Sequence, residues 1–272
     1  PFLKETMKLP FKVGIAPGVY TDDSSFNKIG VYFCKTITLE PRKRMYMNTI
    51  VPVEGGFVNR VGLENVGLKE FVNKEIRHYQ TYGVPVIVSL FSNNLGELMD
   101  MVVAMDSQPL DFIYGYELNL FCPNMYQHGF TTPESVYQAL EALRRATERP
   151  IGIKLPADLK KARELAEACS MGRAGWMTIC NTLQGTTVHP EYGIVTGGIS
   201  GNPLKHIAMS CINEILIDMP YCPIIACGGI ETLQDIKDYK TLGADAFLVC
   251  SAEMTSPGTT AKLNKEYADC NF

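Results

Sequence analysis

The sequence predicts an α/β chain, residues 1–272, folded as a single-domain (β/α)8 (TIM) barrel, and three observations carry that prediction. Eight short apolar runs rich in β-branched residues recur along the chain, and the segments between them carry helical periodicity. The length of 272 residues is ordinary for one such barrel, which typically runs to about 250. Runs such as VIVSL and PIIAC are almost wholly apolar, as parallel strands buried on both faces must be. Alternation of strand and helix implies right-handed βαβ units and a parallel sheet. Eight strands favour a closed barrel over an open, doubly wound sheet.

In chain order the predicted strands are Lys12–Ala16, Ile29–Lys35, Val84–Leu90, Ile113–Leu120, Pro150–Leu155, Trp176–Asn181, Pro223–Cys227 and Ala246–Cys250. Before the third strand, GLKEFVNKEIRHYQTYG reads as a helix stopped by glycine. After the fourth, TTPESVYQALEALRRATER opens on a Thr N-cap, with Pro133 at the first helical position and Glu134 and Ser135 in the first turn. ADLKKARELAEACSMG and ETLQDIKDYKTLG are amphipathic and also end in glycine. Of the residues after the eighth strand only AKLNKEYADCNF reads as a closing helix, so the last helix reads as short. No linker, charge block or low-complexity stretch divides the chain.

Composition narrows the partners. With 46% hydrophobic and 20% charged residues the chain buries a large core. A net charge of -4 and a pI near 5.7 argue against nucleic acid or an anionic membrane. No apolar run approaches the ~20 residues that span a bilayer. Pro1–Pro10 carries Lys4 and Lys8 but no apolar stretch of a secretory leader, and the chain opens on proline as a trimmed or processed chain does. The nine cysteines form no CxxC pair, are odd in number and mostly sit in apolar segments. That pattern predicts a reducing, cytoplasmic compartment rather than disulfides, zinc or an iron–sulfur cluster.

The fold says where chemistry belongs: at the C-terminal strand ends, with phosphate after strands seven and eight. Those ends read APG (16–18), CKT (34–36), ELNLFCPN (117–124), IKLP (153–156), CNT (180–182), CGG (227–229) and CSA (250–252). Cys227-Gly228-Gly229 and Cys250-Ser251 suit a phosphate held by exposed backbone N–H groups, aided by the N-terminus of the helix near Thr232 and by the glycine-rich TGGISG at 196–201. Tight βα turns use glycine without any ligand, which is the alternative; the position after strands seven and eight favours phosphate. Lys154, inside an apolar run, requires an anionic neighbour or loses its proton; a lysine snorkelling to solvent is the alternative. Lys35 invites the same argument. Cys122 stands between Asn119 and Asn124, and a thiol there can move a proton near neutral pH; a buried structural cysteine is the alternative. His78 and His206 fall on predicted helices, His128 and His189 in loops near the barrel mouth, without metal-ligand spacing.

Taken together, E-L-N-L-x-C-P-N at 117–124, N-x-x-G-L at 59–63, I-K-L-P at 153–156, N-T at 181–182, G-I-S-G at 198–201, G-G-I at 228–230 and G-A-D-A at 243–246 resemble the dihydroorotate dehydrogenase family, specifically its soluble, cysteine-base (class 1) branch. The resemblance implies FMN, with Cys122 exchanging the C5 proton of dihydroorotate while hydride passes from C6 to the flavin. It implies substrate contacts at Lys35, Asn59, Gly62, Leu63, Asn119, Asn124, Asn181 and Thr182. Flavin contacts are implied at Ala16, Gly18, Lys35, Thr36, Asn119, Lys154, Asn181, Gly201, Cys227, Gly228, Gly229, Cys250 and Ser251. It further implies a homodimer, with fumarate, or NAD reached through an iron–sulfur partner subunit, as electron acceptor. Phe121 departs from the serine usual before the cysteine, and MYQHGFTTPES departs from the usual Pro-Gly-rich loop. These departures keep a second substrate class open: another cyclic amide or enone on the same flavin barrel. A non-catalytic flavin- or phosphate-binding barrel and a sugar-phosphate enzyme are the remaining alternatives. The last is disfavoured because no strand end of this chain carries the Glu–His pair that such sites use.

Overall fold

The computed structural model describes residues 8–19, 24–47, 49–121, 130–218 and 222–270. Along the chain come β1 (Val13–Ile15), β2 (Val31–Phe33), β3 (Ile50–Val53), β4 (Gly56–Asn59), α1 (Gly67–Glu70), α2 (Ile76–Tyr79), β5 (Val86–Leu90) and α3 (Leu95–Asp106). Next are β6 (Ile113–Asn119), α4 (Pro133–Ala146), β7 (Ile151–Leu155), α5 (Leu159–Met171), β8 (Trp176–Ile179), β9 (Leu183–His189) and β10 (Gly193–Gly201). α6 (Lys205–Asp218), β11 (Ile224–Cys227), α7 (Leu233–Leu242), β12 (Ala246–Val249), α8 (Ser251–Thr255) and α9 (Thr259–Asp269) complete it.

Eight parallel strands close into a barrel in the order β1-β12-β11-β8-β7-β6-β5-β2. Each falls within one of the eight runs predicted from sequence. The helix starts follow their caps: Thr132 and Ser135 form a reciprocal capping box ahead of Pro133, Thr232 and Asp235 form another, and Asp158 caps α5. Gly83 (φ 67) and Gly243 (φ 106) stop their helices in the left-handed region. Gly172 does not: its φ is -72 and the left-handed residue is Arg173. Gly172 is small for a different reason, since a Cβ there would lie 2.7 Å from Leu140 Cδ1.

One apolar cluster lies between the barrel and its helices, and a second fills the barrel's interior. The second contains Phe11, Val31, Phe33, Ile87, Trp176, Ile225, Ala246 and Leu248. Trp176 occupies the space that β7 leaves at Gly152, where a Cβ would come within 2.0 Å of the indole. No helix among the described residues is long and apolar enough to cross a membrane.

A four-stranded antiparallel sheet, β3-β4-β10-β9, sits outside the barrel cylinder and was not predicted. TGGISG, expected as a glycine-rich loop over phosphate, is instead the second half of β10. Its glycines admit close neighbours: a Cβ on Gly197 would sit 2.1 Å from the Asn59 carbonyl oxygen. The C-terminal helix, predicted to be short, is the eleven-residue α9, which packs against β1.

Candidate active site

The C-terminal strand ends and the extra sheet enclose a cavity of about 1120 Å³, part of it open to solvent. Every predicted site residue that falls among the described residues lines it. Ala16, Gly18, Lys35 and Thr36 come from the ends of β1 and β2, and Asn119 and Lys154 from β6 and β7. Asn181 and Thr182 follow β8; Cys227, Gly228 and Gly229 follow β11; Cys250 and Ser251 follow β12. Asn59, Gly62 and Leu63 arrive from β4 and Gly201 from β10, so the unpredicted sheet carries part of the wall. Cys122 and Asn124 lie outside the described residues, as does His128.

A hydrogen-bond chain crosses the mouth. Ser89 and Thr36 hydroxyls meet at 2.9 Å, and the Asn119 amide donates to Thr36 Oγ1 at 3.2 Å. The Asn181 amide donates to Asn119 Oδ1 at 2.7 Å and to the Phe121 carbonyl, while Asn181 Oδ1 accepts from the Thr182 N–H at 2.8 Å. Phe121 therefore presents its backbone to the site, and its ring packs on the outer core. Asn59 donates to the Gly198 carbonyl at 3.0 Å, which ties it to β10 beside Thr182.

Lys154 is buried against the cavity, and its ammonium has no hydrogen-bond partner among the described residues. Burial presses it toward neutrality, yet its pKa is raised, by the Cys227 sulfur where that ionises in alkali and, next, by Glu117. Burial likewise pushes the thiols of Cys180 and Cys227 up, and that of Cys250 to about 12. None of these three is a thiolate near neutral pH. Their part is to line the cavity.

At the phosphate end α7 opens on its capping box: Thr232 Oγ1 accepts from the Asp235 N–H at 3.3 Å, and Asp235 Oδ2 accepts from the N–H groups of Glu231 (3.0 Å) and Thr232 (2.7 Å). The Gly228–Gly229 turn remains available. Gly228 (φ 146) and Gly229 (φ 61) hold backbone angles that side chains resist, and no hydrogen bond of the described residues uses their N–H groups. Tyr239 fixes the turn from behind, its hydroxyl donating to the Gly228 carbonyl at 2.7 Å. At the same end, Ser251 Oγ donates to Ser200 Oγ at 3.0 Å.

Two residues that sequence reasoning passed over shape the site. Asn65 clamps the Gly62–Leu63 turn: its side chain donates to the Leu63 carbonyl (2.8 Å) and Thr38 Oγ1 (2.9 Å), and accepts from Gly67 N–H (2.8 Å). Leu63 is held there at φ 60, a costly angle for a side-chain-bearing residue. Glu117, on the same inward face as Asn119, is fully buried. The signal was present, since a charge two residues before Asn119 in an apolar strand must point the same way.

Of the histidines, His78 and His206 are exposed on helices, and His189 stacks on Tyr192 at 4.3 Å at the β9–β10 turn. Among the described residues no group of three His, Cys, Asp or Glu side chains could hold a metal.

Against known families, the model of dihydroorotate dehydrogenase matches residues 12–269, from the first barrel strand to the last helix. The chain belongs to the dihydroorotate dehydrogenase family. That makes it a member of a family of oxidoreductases. It is 31% identical over 255 residues to the dihydroorotate dehydrogenase B (NAD(+)) catalytic subunit of Geobacter sulfurreducens, covering 91% of this chain and 83% of that one. The corresponding subunit of Geotalea daltonii is also 31% identical, over 252 residues, with 90% and 82% coverage. The fold matches that of Eimeria tenella DHODH, solved with ferulenol, at a TM-score of 0.77 and 21% identity, covering 95% of this chain and 80% of that one.

Proposed function

We propose that the chain oxidises dihydroorotate to orotate on bound FMN in pyrimidine synthesis, with Cys122 as the general base. The observation that carries this is Lys154, a buried ammonium without a hydrogen-bond partner among the described residues, lining the same cavity as a glycine turn with unused N–H groups. These fit the two ends of FMN: Lys154 the electron-accepting ring edge, and Gly228, Gly229 and Ser251 the phosphate. When bound, FMN supplies the acceptor for the hydride leaving C6 of the substrate. Asn59, Asn119, Asn181 and Thr182 offer amide and hydroxyl groups that read the carbonyl, N–H and carboxylate edges of a planar substrate. The Cys122 thiolate takes the C5 proton.

The relatives' names, a catalytic subunit and NAD, favour electrons leaving through a second subunit over the fumarate-using homodimer. Anaerobic mixing with dihydroorotate tests the whole proposal: the flavin band of the yellow protein should bleach rapidly. Cys122→Ala should stay yellow and lose most of that rate. A colourless protein overturns the cofactor, and a yellow protein that stays oxidised overturns the substrate. The altered loop sequence MYQHGFTTPES supports one second reading, the same flavin chemistry on another cyclic amide or enone, which the latter outcome would favour.

A further inference from the structure

The polar lining does not stop at the cavity floor. Glu117 lies one inward position below Asn119 on β6 and is fully buried. Its carboxylate reaches across β7 to β8: the Trp176 indole N–H donates to Oε2 at 3.1 Å, and the Thr178 hydroxyl donates to the same oxygen. Oε1 has no hydrogen-bond partner among the described residues. The strand register explains the crossing. Glu117 stands opposite Gly152, which has no side chain to obstruct it. The next inward residue of β7 is Lys154, opposite Asn119 on one side and Thr178 on the other. The carboxylate therefore passes one layer beneath Lys154, and each of the two lies in the other's electrostatic field.

The other groups around Lys154 do not supply a negative charge at this depth. Cys180, Cys227 and Cys250 carry thiols held neutral by burial. Asn119 and Thr178 are uncharged, Lys35 brings positive charge to the same mouth, and Glu231 lines the cavity rim beyond the Gly228–Gly229 turn. An isolated ammonium in so dry a place would give up its proton. A carboxylate left there without a counter-ion would take one up; burial pushes Glu117 upward, and Lys154, Thr178 and Trp176 pull it back only in part. Two buried opposite charges one layer apart each remove the other's reason to neutralise.

We propose that Glu117 is a positioning residue, the buried counter-charge that keeps Lys154 protonated at the flavin ring and so sets how strongly the ring accepts electrons. This rests on the proposal that flavin lies against Lys154. Only the charge of Glu117 matters here, because glutamine in its place still accepts from Trp176 and Thr178.

The test uses sulfite, which adds to oxidised flavin and leaves negative charge at the ring edge, so its affinity reports the positive charge there. Affinity is measured on the yellow holoprotein across pH ~6 to ~10. In Glu117→Gln it should break at a pH where the wild type shows no break, and fall about tenfold per pH unit above it as one proton leaves Lys154. Lys154→Met should bind sulfite weakly at every pH and lack the break. A Glu117→Gln profile that tracks the wild type overturns the inference. If that variant does not hold flavin, Glu117→Met, which removes the same charge in a side chain of similar volume, gives the same measurement: a new break supports the inference and its absence overturns it. A colourless wild type would instead overturn the flavin proposal, an outcome distinct from an unshifted profile.

Discussion

Gly198→Ala is the sharpest test of which residues read the substrate. Gly198 lies on β10 between Asn59 of β4 and Gln184 of β9. An added methyl would meet Thr182 Oγ1 at 2.2 Å, Thr182 Cβ at 2.8 Å and Asn59 Nδ2 at 3.1 Å. Rotating the threonine frees its hydroxyl but leaves its Cβ, which must retreat about 0.6 Å to reach the 3.4 Å of ordinary contact. The Thr182 N–H is bonded to Asn181, and Asn181 to Asn119, so the shift spreads along the row of side chains at the mouth. Overpacking of this kind costs about 1–3 kcal/mol, and each kcal/mol lowers Tm by roughly 2–4 °C in a chain this size. Since a misplacement of ~1 Å can cost ~100-fold in rate, a shift of this size should lower kcat/KM for dihydroorotate about tenfold. Gly185→Ala is the matched control. Its Cβ meets only Ile199 Cδ1 (2.2 Å) and Cγ1 (2.8 Å), the far end of a flexible side chain. Thermal melts and anaerobic flavin reduction on both variants, with flavin content checked, separate the effects. A Gly198→Ala protein with lowered Tm but wild-type kcat/KM would refute the assignment of Thr182 and Asn59 to the substrate. Equal kinetic loss in Gly185→Ala would refute its local origin.

Tyr239→Phe removes the hydroxyl that holds the Gly228 carbonyl, with loss of about 1 kcal/mol. Fluorescence titration of the apoprotein with FMN should then show affinity roughly fivefold weaker; unchanged affinity would mean that the turn needs no support from behind. Acid stability should depend on Asp235, which receives Lys205 Nζ at 2.5 Å. Burial raises its pKa, but Lys205 and the Glu231 and Thr232 N–H groups more than offset this and leave it lowered. A carboxylate lowered on folding stabilises fully above its unfolded pKa of ~3.9, and that stabilisation is lost as pH falls through the folded value. The Tm difference between wild type and Asp235→Asn should therefore be constant near neutrality and shrink below pH ~4. A difference that grows on acidification would contradict this sign.

The barrel was legible because most of its strands are short apolar blocks, such as VIVSL, and α3, α4, α5 and α7 between them have polar caps of their own. The antiparallel sheet was not, because β9 and β10 are built from Gly, Thr and Gln with few large apolar residues. Their pattern of alternate half-burial in β9 has no hydrophobic amplitude to reveal it. The residues that line the cavity were nonetheless legible, since Asn119, Lys154 and Asn181 are polar exceptions at the ends of apolar strands. Glu117 escaped for the complementary reason. It lies one step deeper, where its partners Trp176 and Thr178 are 59 and 61 residues away in sequence. Asn65 escaped because its clamp is made of backbone groups that no motif spells out.

Trp176 is the chain's single tryptophan and is buried one layer beneath the cavity. Its emission overlaps flavin absorption, so a bound flavin would quench it by energy transfer. With no second indole to dilute the signal, intrinsic fluorescence becomes an internal gauge of cofactor loading, needing no attached dye. The indole also donates to Glu117, so the same spectrum should register whether the carboxylate beside it carries its charge.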